Sequence, residues 1–181
     1  MPIPEPIVTN RLILRPFMVT DAAEVEVLAG AVQIADTTKL IPHPYPSGEA
    51  LRWIETHQYG FNTGEQHTFA VTKKVDGLLL GAIGLHVNFT HQSGEIGYWI
   101  GVPFWGNGYA TEAARAMIEY GFEKLRLNRI YASYFTRNPA SRRVQEKAGL
   151  IFEGIHKQAI RKGDRYEDLG VCALIRENYQ N

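Results

Sequence analysis

Apolar and polar positions along the chain change period several times, and each change marks an element. Residues 11–17 (RLILRPF) alternate charged and apolar side chains, the period-two pattern of a half-buried strand. Thr20 and Asp21 then offer an N-cap for a helix over residues 22–31. Pro42, Pro44 and Pro46 exclude a helix from the next stretch, because the ring removes the backbone donor. Ser47 is placed to cap a second helix reaching about Asn62, with Leu51, Ile54 and Gln58 at helical spacing. Residues 67–74 and 78–87 flank Val75-Asp76-Gly77, turn chemistry that predicts a hairpin. Residues 95–101 (EIGYWIG) read as a further strand. A helix over about residues 109–124 carries Ala110, Ala113, Ala114, Met117, Ile118 and Phe122 on one broad face. Residues 129–135 alternate as a strand, and 139–148 form a short helix opened by Pro139 and ended by Gly149. Residues 151–159 and 166–175 close as a hairpin around Lys162-Gly163-Asp164. The predicted order is β-α-α-β-β-β-α-β-α-β-β, an α+β arrangement.

Composition narrows the class. A chain of 181 residues and 20.4 kDa favours one domain and is long enough to bury a core. Lys plus Arg number 19 and Asp plus Glu number 19, so the net charge is zero, which argues against direct nucleic-acid binding or an anionic-membrane partner. The single Cys172 cannot make an internal disulfide or a cysteine zinc site, and among Val171, Ala173 and Leu174 it reads as packing. The histidines at 43, 57, 67, 86, 91 and 156 include no close ligand pair, so no metal is expected. Residues 1–10 lack a charged-then-apolar leader, and no run approaches the roughly 20 residues of a membrane span. A cytoplasmic protein is expected.

Chemistry concentrates at two helix starts. In WGNGYATEA (residues 105–113), Gly106 and Gly108 sit between a strand and a helix, where backbone amides can approach a ligand and the helix dipole favours an anion. Asn107, Tyr109 and Ala110 complete the turn, Thr111 adds a hydroxyl, and a diphosphate would fit the cradle. In isolation the same glycines equally make a tight strand-to-helix turn. Neither a G-x-x-x-x-G-K-[ST] phosphate loop nor a full G-x-G-x-x-G fingerprint is present. Asn138 is an N-cap for the later helix, with Ser141 in the same first turn. If the preceding strands are neighbours, one ligand could touch both helix starts. Arg142, Arg143 and Lys147 are either further phosphate ligands or solvated charges.

These residues resemble the GNAT (GCN5-related) N-acetyltransferases, and within them the Rim-type ribosomal-protein group. The resemblance is carried by TNRLILRPF (9–17), DGLLLGAIGL (76–85), EIGYWIGVPFWGNGYATEA (95–113) and LNRIYASYFTRNPASRRVQEKAGLIFEG (127–154), in the family's order. It implies a GNAT fold as one domain over residues 1–181, with a mixed, twisted six- to seven-stranded sheet flanked by about four helices. It also implies acetyl-CoA as co-substrate, seated where the strands over 95–101 and 129–135 splay apart. The pantetheine arm would pair with the backbone of Trp99, Ile100, Gly101 and Val102. The diphosphate would lie on the amides from Gly106 through Thr111, with Asn138 and Ser141 completing the cofactor side. Trp105 stands where the wider family has Gln or Arg, a substitution common in the Rim-type group.

The implied reaction is direct acetyl transfer to a primary amine in a ternary complex. The acceptor is a protein N-terminal amine, as in the Rim-type group, or a small-molecule amine; a non-catalytic CoA-binding module is the remaining alternative. Glu95 resembles the family's general base, with His86, Glu167 and Asp168 as lesser candidates. A strand amide near Ile100 would hold the oxyanion. The family's usual acid, a Tyr, is replaced by Gln145, which leaves Ser141 to hydrogen-bond the departing thiolate. Tyr45, Trp53 and Tyr59 fall in elements that wall the acceptor cleft in the family. A monomer or homodimer is expected.

Overall fold

A computed structural model describes residues 4–179, so the first three residues of the stretch read for a leader, and the last two of the 1–181 domain, lie outside it. The chain runs β1 (Ile7–Val8), β2 (Leu12–Pro16), a 3-10 turn (Val19–Asp21), α1 (Ala22–Ala29), α2 (Val32–Thr37), α3 (Glu49–Thr63), β3 (Gln66–Lys73), β4 (Leu79–Asn88) and β5 (Ser93–Ile100). A second 3-10 turn (Val102–Phe104) leads to α4 (Tyr109–Glu123), β6 (Arg129–Phe135), α5 (Pro139–Lys147), β7 (Ile151–Lys162), β8 (Arg165–Ile175) and α6 (Arg176–Tyr179).

The strands make one sheet in the order β1-β2-β3-β4-β5-β6-β8-β7. Every neighbouring pair is antiparallel except β5 and β6. The fold is α+β as expected, but the sheet has eight strands rather than six or seven, and six α-helices are described rather than about four. The additions are short: β1 has two residues, α2 six and α6 four, too few to write a period into the sequence.

Two buried clusters lie on the sheet. Leu14, Phe69, Ile83, Leu85, Ile96, Met117, Phe122 and Ile130 belong to the larger, which α4 covers with the face read from its sequence. Val25, Ala29, Ile34, Ala50, Ile54, Ala82 and Trp99 form the other under α1, α2 and α3. The buried stripe of α3 is Ala50, Ile54, His57 and Phe61 rather than Leu51, Ile54 and Gln58, since Leu51 remains 39% exposed. Asp21 stands at the N-cap of α1 as expected but makes no side-chain cap bond, and Ser47 is not the N-cap of α3. The Asp21 carboxylate binds Arg15 at 2.7 and 2.8 Å and the Met18 N–H at 2.8 Å. The N-cap of α3 is Gly48, in the left-handed region at φ 74°, and its N–H donates to Glu26 Oε1 at 2.6 Å.

Candidate active site

The parallel ladder between β5 and β6 is short. It pairs Ser93 with Arg129 through Ile96 with Ala132, while β5 continues to Ile100 and β6 to Phe135. The strands therefore diverge beyond Ile96 and Ala132, and the expected wedge is present. A cavity of about 570 Å³ runs through it, lined on one side by Tyr45, Trp53 and Glu95 and on the other by Tyr98 and Ser141. A side chain at Gly97, in the mouth of the wedge, would meet nothing within 4 Å.

Strand alternation decides which backbone groups face this opening. Gly101 N–H donates to Leu80 O at 2.8 Å on the β4 side, and the Trp99 carbonyl points the same way, against Gly81. The free edge thus belongs to Tyr98 and Ile100. Ile100 is one of the four residues expected to pair with pantetheine; alternation gives its backbone, with that of Tyr98, to this edge and turns the backbone of Trp99 and Gly101 toward β4. The Trp99 side chain packs in the cluster under α1 and α3. Val102 lies in the 3-10 turn, where its carbonyl accepts from Trp105 N–H at 3.2 Å. The Trp105 indole N–H donates to the Ile100 carbonyl.

The glycine turn leads straight into the start of α4. Gly106 and Gly108 take φ of 79° and 78°, the left-handed region that glycine tolerates best, and a Cβ on Gly106 would meet nothing. Gly108 is the N-cap of α4, with no side chain capping the first turn, so the first-turn amides that include Tyr109, Ala110 and Thr111 are not claimed by a cap. Asn107 ties the turn from within: its Nδ2 donates to the carbonyls of Phe104 and Trp105, both at 3.1 Å. Arg11, which sequence reasoning missed, holds the turn from β2's side. Its Nη1 donates to Asn107 O at 3.0 Å and its Nε to Glu112 Oε2 at 2.7 Å.

On the α5 side, Asn138 is the N-cap, its Oδ1 accepting from Ser141 N–H at 3.2 Å. The Ser141 hydroxyl oxygen lies 2.9 Å from Tyr98 Oη, and Gln145 Nε2 donates to it at 3.4 Å. Burial pushes the Tyr98 phenol up to about 12, against hydrogen bonds from Ser141 and Gln145, so it stays protonated. Of the basic residues considered for phosphate, Arg142 is engaged by Glu146 at 2.8 Å, and the Lys147 carbonyl accepts from Arg115.

Across the sheet, Glu95 is occupied twice. Lys39 Nζ donates to its Oε1 at 2.6 Å, and Ser133 Oγ donates to the same oxygen at 2.7 Å. Burial pulls this carboxyl up, but the bonds from Lys39 and Ser133, with the nearby Lys39 and His86, hold it below the ordinary glutamate range. His86 faces Glu95 in the β4–β5 register and lines the cavity. Glu167 is bound by Arg137 at 3.0 and 3.1 Å, and Asp168 by Lys157 at 2.7 Å, so two of the three lesser base candidates are ion-paired. Tyr45 and Trp53 line the cavity, whereas Tyr59 is 71% exposed and does not. Arg137 and Lys162 reach over to the end of α2, donating to the carbonyls of Asp36 in its last turn and Thr38 just after it. Among the described residues, no three of His, Cys, Asp and Glu gather as a metal site, and no helix is long and apolar enough to cross a membrane.

Comparison with known proteins agrees with this geometry. The acetyltransferase (GNAT) domain family matches residues 11–151. The Bacillus subtilis N-acetyltransferase YnaD is 31% identical over 173 residues, covering 96% of this chain and 98% of its own. A ribosomal-protein-serine acetyltransferase of Escherichia coli is 32% identical over 123 residues, covering 67% and 65%. The crystal structure of a GNAT-family acetyltransferase from Bacillus anthracis superposes with a TM-score of 0.84 at 28% identity, covering 96% and 99%. With the wedge, the glycine turn and the family match in agreement, the chain belongs to the GNAT acetyltransferases, as an acyltransferase with acetyl-CoA as co-substrate.

Proposed function

We propose that the chain moves the acetyl group of acetyl-CoA directly to the α-amino group at a polypeptide N-terminus, both substrates being held in the wedge. The observation that carries the acceptor class is the state of Glu95. A carboxylate already accepting from Lys39 and Ser133 is a weak base toward a protonated amine. Such a site is best served by an amine that is often neutral in water. An α-amine titrates near 7.8 and a lysine-type amine near 10.4, so roughly a third of the former but only about a tenth of a per cent of the latter is neutral at pH 7.5. A polyamine would also want several unpaired carboxylates, and in this cavity Glu95 is met by Lys39 and Glu49 by Arg52. The name of the Escherichia coli relative points in the same direction.

The fit to the co-substrate rests on the open space at Gly97 and Gly106 and on the uncapped start of α4. Bound CoA supplies an activated acetyl thioester. Residues Gly106, Asn107, Gly108, Tyr109, Ala110 and Thr111 would hold its diphosphate, and the edge amides of Tyr98 and Ile100 its pantetheine arm. The Ile100 amide would also face charge developing on the acyl oxygen. Glu95 would orient the incoming nitrogen and stabilise the positive charge that grows on it, accepting its proton directly or through water. Ser141 would offer its hydroxyl to the departing sulfur.

The test is a panel of acceptors incubated with acetyl-CoA, followed by free-thiol release and the mass of each acceptor. Peptides with a free N-terminus should gain 42 mass units (roughly, one acetyl group) in step with thiol release. Faster acetylation of polyamines than of any peptide would overturn the acceptor, and CoA binding with no acceptor-dependent thiol release would make the chain a binding module.

A further inference from the structure

Ser141 stands where its hydroxyl could meet a leaving group, yet a serine hydroxyl rotates freely and its hydrogen can turn to any acceptor. Its surroundings here restrict that freedom. The oxygen has two lone pairs and one hydrogen. Tyr98 Oη lies 2.9 Å away, and Gln145 Nε2, which has hydrogens only to give, lies 3.4 Å away on the next turn of α5. Gln145 is 1% exposed, and its Oε1 has no partner, so the amide is held in a dry contact between α5 and the sheet. Tyr98 projects from the diverging half of β5, the part that β6 no longer pairs, and its phenol also reaches the Ser141 carbonyl at 3.1 Å.

We propose that Tyr98 and Gln145 are positioning residues that fill both lone pairs of Ser141 Oγ and so aim its hydrogen into the wedge, at the sulfur of CoA. This rests on the acetyltransferase reading of the wedge and adds to it what replaces the tyrosine acid of the wider family. Two arrangements of the phenol hydrogen compete. Given to the Ser141 carbonyl, it leaves Tyr98 Oη to accept the serine hydrogen, which then points away from the cavity. Given to Ser141 Oγ, it frees the serine hydrogen for sulfur. An anionic sulfur favours the second arrangement, because charge-assisted hydrogen bonds are about twice as strong as neutral ones. Ser141 keeps its proton throughout. When the carbon–sulfur bond breaks, its electron pair stays on sulfur, and the proton lost from the amine nitrogen leaves through Glu95 or water.

The arrangement accounts for two features that are otherwise odd. Gln145 is almost wholly buried, a costly placement for an amide that only packs. Tyr98 is a phenol set against a first-turn serine where phenylalanine would fill the same space. Both are explained if the group being served is the hydroxyl between them.

The experiment is Tyr98→Phe, alone and in a Ser141→Ala background, read in two ways. The first reading is the thiol titration of bound CoA, followed by thiolate absorbance across pH with affinity checked by calorimetry. Tyr98→Phe should raise the midpoint by about half a pH unit or more, and the shift should vanish in the Ser141→Ala background. The second is steady-state kinetics, where kcat should fall about fivefold with KM for acetyl-CoA within about twofold, again only while Ser141 is present. An unchanged thiol midpoint, a kcat that rises, or equal losses with and without Ser141 would overturn the proposal. Those results with CoA still bound would leave the acetyltransferase reading intact, whereas wild-type protein that fails to bind CoA would overturn both.

Discussion

If the proton on the acceptor amine leaves in water rather than to Glu95, selectivity between amines must follow their neutral fractions, and it must change with pH in a calculable way. Two versions of one peptide suffice: one with a free N-terminus and its lysine acetylated, the other with the N-terminus blocked and the lysine free. The Glu95 carboxylate spends Oε1 on Lys39 at 2.6 Å and Ser133 at 2.7 Å, so the site adds little proton affinity of its own. At pH 7.5 the neutral fractions then favour the α-amine by about 250-fold, and at pH 9.0 by about 25-fold. The greater intrinsic nucleophilicity of the more basic amine trims both ratios without altering their direction. Initial rates of thiol release at acceptor concentrations well below KM give the kcat/KM ratio directly. A tenfold narrowing over that interval is expected. Lys39→Met removes the cation that holds the carboxyl acidic, so the pKa of Glu95 should rise and the preference at pH 7.5 should shrink. A ratio near unity at pH 7.5, or one that does not move with pH, would refute the reasoning, because the protein would then be stripping the proton itself.

The glycine turn and the buried imidazole make separate predictions. Gly106→Ala should cost about 1–2 kcal/mol in urea unfolding, because φ is 79° there, and should weaken CoA binding measured by calorimetry; full affinity retained would move the diphosphate elsewhere. Gly108→Val, which looks harmless to the fold from sequence, should destabilise more, since a β-branched side chain is strained further at φ 78°. His57 is 4% exposed, packs against Phe17 and Trp53, and has no hydrogen-bond partner on either nitrogen, and burial lowers it to about 4. Its neutral form is native and its unfolded pKa is near 6.5, so the stability it confers is intact above pH 6.5 and is lost as pH falls toward 4, by about 3 kcal/mol in all. His57→Leu should flatten that part of the urea-midpoint profile, and a variant as acid-sensitive as wild type would refute the assignment.

The parts of the fold legible in the sequence are those whose cause is local. The α4 face is written in the spacing of Ala113, Met117 and Phe122, the Asn138 cap in one residue, and the Gly77 turn in one dipeptide. Other features depend on partners far along the chain. Ser47 has cap chemistry, but Gly48 is pulled into the cap by Glu26, 22 residues earlier. The last strand hairpin extends past the predicted end of its first arm because β7 breaks register between His156 and Ile160, which interrupts the period on which the reading relied. At the site, Glu95 and Ser141 were visible as residue types, but what they touch was not. Lys39 meets Glu95 across 56 residues, and no pattern near either one announces it. Tyr98 was within reach of sequence reasoning: if Ile100 offers its backbone at the free edge, alternation assigns the same edge to Tyr98 and not to Trp99.

Alternation also explains why a splayed sheet suits this chemistry. Along β5, Glu95 and Trp99 face the layer of α1, α2 and α3, while Ile96, Tyr98 and Ile100 face that of α4 and α5. In an unbroken sheet the backbone itself would separate a group serving the nucleophile on one face from a group serving the leaving group on the other. Loss of the β6 ladder beyond Ile96 removes that wall, and glycine at 97 keeps a side chain from refilling the gap. On the proposed reading, a thioester in the opening would be approached from the Glu95 side with its sulfur toward Ser141, and no residue would have to cross the sheet. Gly97→Val tests this division. It leaves both sets of side chains in place but puts a branched group in the opening, so acetyl-CoA turnover should fall at least tenfold while unfolding stability, with nothing within 4 Å to collide with, changes by about 1 kcal/mol or less. Full turnover in that variant would mean that the two faces communicate by some other route.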